Sequence, residues 1–158
     1  MFNITKIKDH VRFDNDTYQD CLDFISPFDK AVRKLDKHKL LIGGPLQEMA
    51  YDFYWRYYYR NKYSHAISIN LQIGFCLSLS KNDDLVANIL IKTTEYSTGS
   101  IPTVDYLSRK KITLEGEESI VKVAEELIEI AETYYLMDEL LPKLRPSLRS
   151  KAIDLLPM

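Results

Sequence analysis

Three histidines, His10, His38 and His65, and two cysteines, Cys21 and Cys76, are the side chains best suited to nucleophilic, acid–base or metal chemistry. Their spacing does not suit it. No His-x-x-x-His, Cys-x-x-Cys or mixed cluster would bring several ligands to one metal ion. Neither cysteine stands in a local nucleophile signature, and Gly-x-Ser-x-Gly does not occur. Asp14-x-Asp16 opens like a calcium loop, but Tyr18 takes the next ligand position and the loop glycine is missing, so helix capping accounts better for both aspartates. Gly43-Gly44 lacks the context of a phosphate-binding loop and reads as a helix stop. Glu125 and Glu129 have the i,i+4 spacing of paired carboxylates, without an inward histidine or third acid beside them. The pattern names no catalytic residue, no metal site and no cofactor, and an enzyme of dispersed residues ranks third among the functional expectations.

Binding is better represented. Residues 51–59 contain seven aromatics in nine positions, followed by Arg60, Asn61, Lys62 and Tyr63. Read as a helix opened by Pro45, this segment sends Leu46, Met49, Ala50, Phe53 and Tyr57 to the core and leaves further rings on other sides. One apolar stripe suffices for packing, so the surplus points to recognition or to a helix covered on two sides. Tyr, Trp and Arg concentrate binding energy at interfaces. The expected binding residues are therefore Tyr51, Tyr54, Trp55, Arg56, Tyr58, Tyr59 and Arg60, docking a protein partner or a second copy as an adaptor or inhibitor would. The alternative is single-stranded nucleic acid, its bases stacked on the rings and its phosphates held by Arg56, Arg60 and Lys62.

The elements around this segment are read from periodicity. Residues 1–13 lean to a strand through Phe2 and Ile4. Tyr18, Cys21, Leu22 and Ile25 follow at helical intervals, and Ser26-Pro27 signals the start of a second helix reaching about Lys37. From Ile67 to Leu79 every odd residue is apolar, and from Ser68 to Ser80 every even one is small or polar without charge. Lys81-Asn82-Asp83-Asp84 is turn chemistry, and Leu85 to Tyr96 is the returning strand. Pairing Ser80 with Asp84 sets Leu79 against Leu85, Leu77 against Ala87, Phe75 against Ile89 and Ile73 against Ile91, keeping one face apolar. Val104 to Leu114 adds a third strand. From Glu115 a long helix carries Ile120, Val123, Ala124, Leu127, Ile130, Ala131 and Tyr134 on its core stripe, and a short helix follows Pro146.

These elements make one α+β domain over residues 1–158, a length able to bury a core without metals or disulfides. The uncharged second face of the strand is expected to be covered by a helix, a partner or a second subunit, because an open uncharged face invites aggregation. A net charge of −2 does not call for a polyanionic partner, although residues 115–158 hold 10 acids against 5 bases. No signal-peptide run opens the sequence and no uncharged stretch reaches membrane-spanning length, so a cytoplasmic location with reduced thiols is expected.

Overall fold

The computed structural model describes residues 3–12, 18–49, 51–57, 67–97, 101 and 103–140. Five strands form one antiparallel sheet in sequence order: β1 (Leu41–Met49), β2 (Asp52–Tyr57), β3 (Ile67–Leu79), β4 (Leu85–Ser97) and β5 (Thr103–Thr113). Three helices, α1 (Ile4–Arg12), α2 (Tyr18–Leu35) and α3 (Glu117–Leu140), complete the α+β fold, with the long α3 packed on the sheet. None of the described helices is long and apolar enough to cross a membrane.

The β3–β4 hairpin has the register that the alternation requires: Leu79↔Leu85, Leu77↔Ala87, Phe75↔Ile89 and Ile73↔Ile91. Its turn closes with Ser80 N donating to Asp84 O at 2.8 Å, while Asp83 takes a positive φ of 63°. Leu71, Ile73, Phe75 and Leu77 of β3 and Leu85, Ala87, Ile89 and Ile91 of β4 join Phe53, Trp55 and Tyr57 of β2 in one core. Against them lie Ile7 of α1, Phe24, Ile25, Phe28 and Val32 of α2, and the apolar stripe of α3. All seven residues expected on that stripe are buried, because helical spacing aims them at one side. All three helices thus pack against the odd face of the sheet.

Three expectations are corrected. The segment from Gly43 to Tyr57 is a pair of strands, not an aromatic helix. Phe53, Trp55 and Tyr57 alternate with Tyr54 and Arg56 across the two faces, and bulky aromatics fit a pleated surface well. Gly43-Gly44 consequently stops no helix, and Gly43 instead turns β1 with a φ of 74° between shifted registers. Residues 4–12 are helix rather than strand, with the Asn3 side chain accepting from Lys6 N at 3.1 Å as an amino-terminal cap. The two helices expected around Ser26-Pro27 are one, with Pro27 inside α2. A proline there costs about 3 kcal/mol. Burial of Phe24, Ile25, Phe28 and Val32, each worth about 1.5–3 kcal/mol, offsets it. The helix expected after Pro146 lies outside the described residues.

The link from α2 into the sheet is made by Asp36, whose buried carboxylate accepts from Leu40 N at 2.9 Å and Leu41 N at 2.8 Å. Those two amides lead into β1, and the carboxylate supplies the partners that neither helix nor strand provides. At the opposite end, Arg12 of α1 grips both oxygens of Asp83 in the β3–β4 turn, at 2.7 and 2.6 Å.

Candidate functional site

The structure separates the expected binding residues. Tyr51 sits in the β1–β2 turn with its ring in the core, and its hydroxyl donates to His10 O at 2.7 Å. Trp55 is 1% exposed, and its indole Nε1 donates to Asp29 Oδ1 of α2 at 2.9 Å. Both rings hold the fold together, which corrects their assignment to a docking surface. Tyr54 and Arg56 share the opposite face of β2, and Arg56 is exposed. Tyr58, Tyr59 and Arg60 lie outside the described residues. The i,i+4 ion pair that a helix would give Asp52 and Arg56 is not formed, since four residues of strand span about 13 Å.

Register assembles a different group around Tyr54 and Arg56. Arg56 pairs with Gln72, Gln72 with Lys92 and Lys92 with Tyr106, so one row crosses β2, β3, β4 and β5. At about 4.8 Å per strand the row is about 14 Å long. The row beside it runs Leu46, Tyr54, Gly74, Leu90 and Ser108. Because Gly74 presents no side chain between β2 and β4, the Lys92 ammonium reaches both sides, 5.9 Å from the Tyr54 ring and 5.7 Å from that of Tyr106. Such cation–π contacts fix the ammonium and hold both rings. Tyr54, 1% exposed, is buried without belonging to the helix-covered core.

None of the core side chains comes from the even-numbered positions of β3 and β4, so no described helix covers this face through the core. It displays Tyr106 at 57%, Leu46 at 47% and Val104 at 42% exposure. Arg56, Lys92 and Lys111 share it with one described acid, Asp52. Arg56 forms no ion pair with the described residues. The exposed part of the face is thus Arg56 and Lys111 with Leu46, Val104 and Tyr106, around a buried middle of Tyr54, Gln72 and Thr94. Lys92 and Tyr106 escaped the sequence because their neighbours are fixed by cross-strand register, and a register shift between Ile89 and Leu90 hides that of β5.

The sheet edges are poorer docking sites. β5 carries Arg109-Lys110-Lys111 at its irregularity, and β1 is broken by Gly43, Gly44 and Pro45. Charge, bulges and proline are devices that oppose strand addition. Between β5 and α3 lies a groove of about 560 Å³ lined by Lys110, Ile112, Lys122, Glu126 and Glu129, among others. Its Lys110 and Glu126 are paired at 3.1 Å, and it contains neither histidine nor cysteine.

Cys76, the cross-strand neighbour of Asp52 on the even-numbered face, is the described free thiol. Burial pushes its pKa up to about 12, with the hydrogen bond and negative charge of Asp52 adding to the shift. A thiol so raised stays protonated near neutrality and is a poor nucleophile. Among the described residues no three His, Cys, Asp or Glu side chains are grouped to hold a metal ion. No family model, curated protein or solved structure matches the chain.

Proposed function

We propose that the chain is a small protein-interaction module, an adaptor or inhibitor that acts by docking rather than chemistry, and that the even-numbered face of its sheet is the docking surface. The observation that carries this reading is the exposure of Arg56 and Tyr106, the two ends of the row Arg56–Gln72–Lys92–Tyr106, with Leu46 and Val104 exposed on the same face. Arginine and tyrosine beside apolar residues are the composition of interface hot spots. The paired Lys92 contacts hold the centre in place before a partner arrives, which lowers the entropy lost on binding.

Single-stranded nucleic acid is a second reading, favoured by two cations and an exposed ring in one row. It is the weaker one. A stacking platform needs several open rings, and Tyr51, Tyr54 and Trp55 are all buried.

The test is affinity capture from native extract with the wild type, Tyr106→Ala, Arg56→Glu and a helix-layer control, Val121→Ala. Partners lost with both sheet variants and kept with the control support the docking face. Partners kept by all three variants reject it.

A further inference from the structure

The carboxy-terminal half of α2 and the turn into β1 carry a ridge of cations. Phe24, Ile25, Phe28 and Val32 are buried, so Lys30, Arg33 and Lys34, at i, i+3 and i+4, are exposed on the opposite side. Lys37 and Lys39 are exposed in the turn that follows. Both acids of the stretch are engaged: Asp29 accepts from Trp55 Nε1 and Arg33 Nε, and Asp36 from Leu40 N and Leu41 N. Lys30, Lys34, Lys37 and Lys39 form no ion pair with the described residues. Cations in a last helical turn complement the negative end of the helix. That accounts for Arg33 and Lys34, but Lys30 stands before that turn, and Lys37 and Lys39 lie beyond the end of the helix.

We propose that this ridge binds the phosphate backbone of nucleic acid, an activity that goes beyond the docking reading and uses the other side of the sheet. The four unpaired cations are all lysines, point charges that meet phosphate without a preferred geometry. The one guanidinium suited to forked pairing, Arg33, already holds Asp29. Helical neighbours three or four residues apart stand about 5–6 Å from one another, and Lys30 to Lys37 spans about 10 Å at the helical rise. At about 3.4 Å per charge, that length follows about three phosphates of one strand. The turn is fixed by the Asp36 bonds and by the stack of His38 on Tyr135, with 5.9 Å between centroids, so the backbone presenting Lys37 and Lys39 is ordered before contact. Among the described residues no large apolar side chain is exposed on α2 or in this turn. Stable seating on a lipid surface takes an apolar face to insert, and a protein hot spot takes an apolar or aromatic anchor. Glu125, Glu129 and Glu132 are exposed on α3, which packs against α2. They repel a polyanion that crosses the helix layer and so direct it along α2. A net charge of −2 makes the contact weak and dependent on salt.

The experiment measures binding of the full chain, at low salt, to a short labelled DNA duplex, to labelled oligo(dT) and to phosphatidylcholine vesicles containing phosphatidylserine. The test variant is Lys30→Gln/Lys34→Gln/Lys37→Gln. Its control, Lys6→Gln/Lys81→Gln/Lys122→Gln, removes the same charge from exposed positions elsewhere. At least one nucleic acid should bind, with affinity at least about tenfold lower in the α2 variant and within about threefold of wild type in the control. Three fewer phosphate contacts should also flatten the slope of log affinity against log salt, by about 2.7 for the duplex or about 2.1 for oligo(dT). Equal losses in the two triple variants would mean that net charge alone governs binding, and would overturn the ridge. Loss in Arg56→Gln with none in the α2 variant would move nucleic acid to the sheet face and reject this site. Tighter binding to the vesicles, released by the α2 variant, would replace nucleic acid with lipid. Absence of binding to either nucleic acid would refute the proposal outright.

Discussion

Trp55 Nε1 donates a 2.9 Å hydrogen bond to Asp29 Oδ1, and the other oxygen of that carboxylate accepts from Arg33 Nε at the same distance. The indole is thereby tied to α2 from the odd face of β2, while the next residue, Arg56, projects from the even face. One peptide bond separates a structural residue from a proposed binding residue.

Trp55→Ala should destabilise the fold by roughly 3–5 kcal/mol, as truncation of a large buried aromatic does. Asp29→Ala orphans the indole N–H, at a cost of about 1–3 kcal/mol. In a Trp55→Phe background that donor is gone, and Asp29→Ala should then cost much less. Urea unfolding of the four chains gives the coupling, and additive losses would mean that the bond contributes nothing.

Gly74→Ala is expected to destabilise by about 1–3 kcal/mol or more. A methyl group at Gly74 collides with the Phe53 carbonyl oxygen and comes within 2.7 Å of Tyr54 Cα, both backbone atoms that yield only if β2 and β3 separate. Gly44→Ala, whose methyl meets nothing within 4 Å, is the control. Thermal unfolding should separate the two clearly, and equal midpoints would refute the close β2–β3 approach.

The Arg12–Asp83 pair gives stability a defined acid dependence. Hydrogen bonding from Arg12, and then its charge, hold Asp83 below its ordinary carboxylate pKa, with a smaller contribution from Lys8. A lowered folded pKa contributes stability that is full above the unfolded value and is lost as pH falls through the folded value. The difference in unfolding midpoint between the wild type and Asp83→Asn should therefore be present at neutral pH and close under acid conditions. Because the pair is exposed, the difference should also shrink with salt.

Cys76 should alkylate slowly at pH 8, since burial and then Asp52 keep its thiol protonated. Asp52→Asn removes the negative charge, lowers the thiol pKa and should raise the labelling rate. Peptide mapping after iodoacetamide treatment reads Cys76 specifically. An unchanged rate would show that burial alone governs it.

Much of the fold was legible because its periodic signals were unambiguous. From Ile67 to Leu79 the alternation is unbroken, so a single register keeps the hairpin core apolar, and the structure has that register. The stripe from Ile120 to Tyr134 is equally clear. The aromatic segment failed because it satisfies two periods. Leu46, Met49, Ala50, Phe53 and Tyr57 match a helix, while Phe53, Trp55 and Tyr57 match a strand, and the tertiary core selected the strand. The enrichment in Tyr and Trp was the signal for strand. Of the candidate site, composition pointed to Tyr54 and Arg56, whereas Gln72, Lys92 and Tyr106 become their neighbours only through pairing across four strands.

The most direct measurement is site-specific photo-crosslinking in the cells that make the chain, with a benzophenone amino acid placed at Tyr106 on the sheet face or at Val121 on α3. Both positions are exposed, so neither substitution should disturb the core. If the sheet face is the docking surface, position 106 should yield a discrete protein adduct and position 121 none. Adducts from position 121 alone, or the same adducts from both, would contradict it.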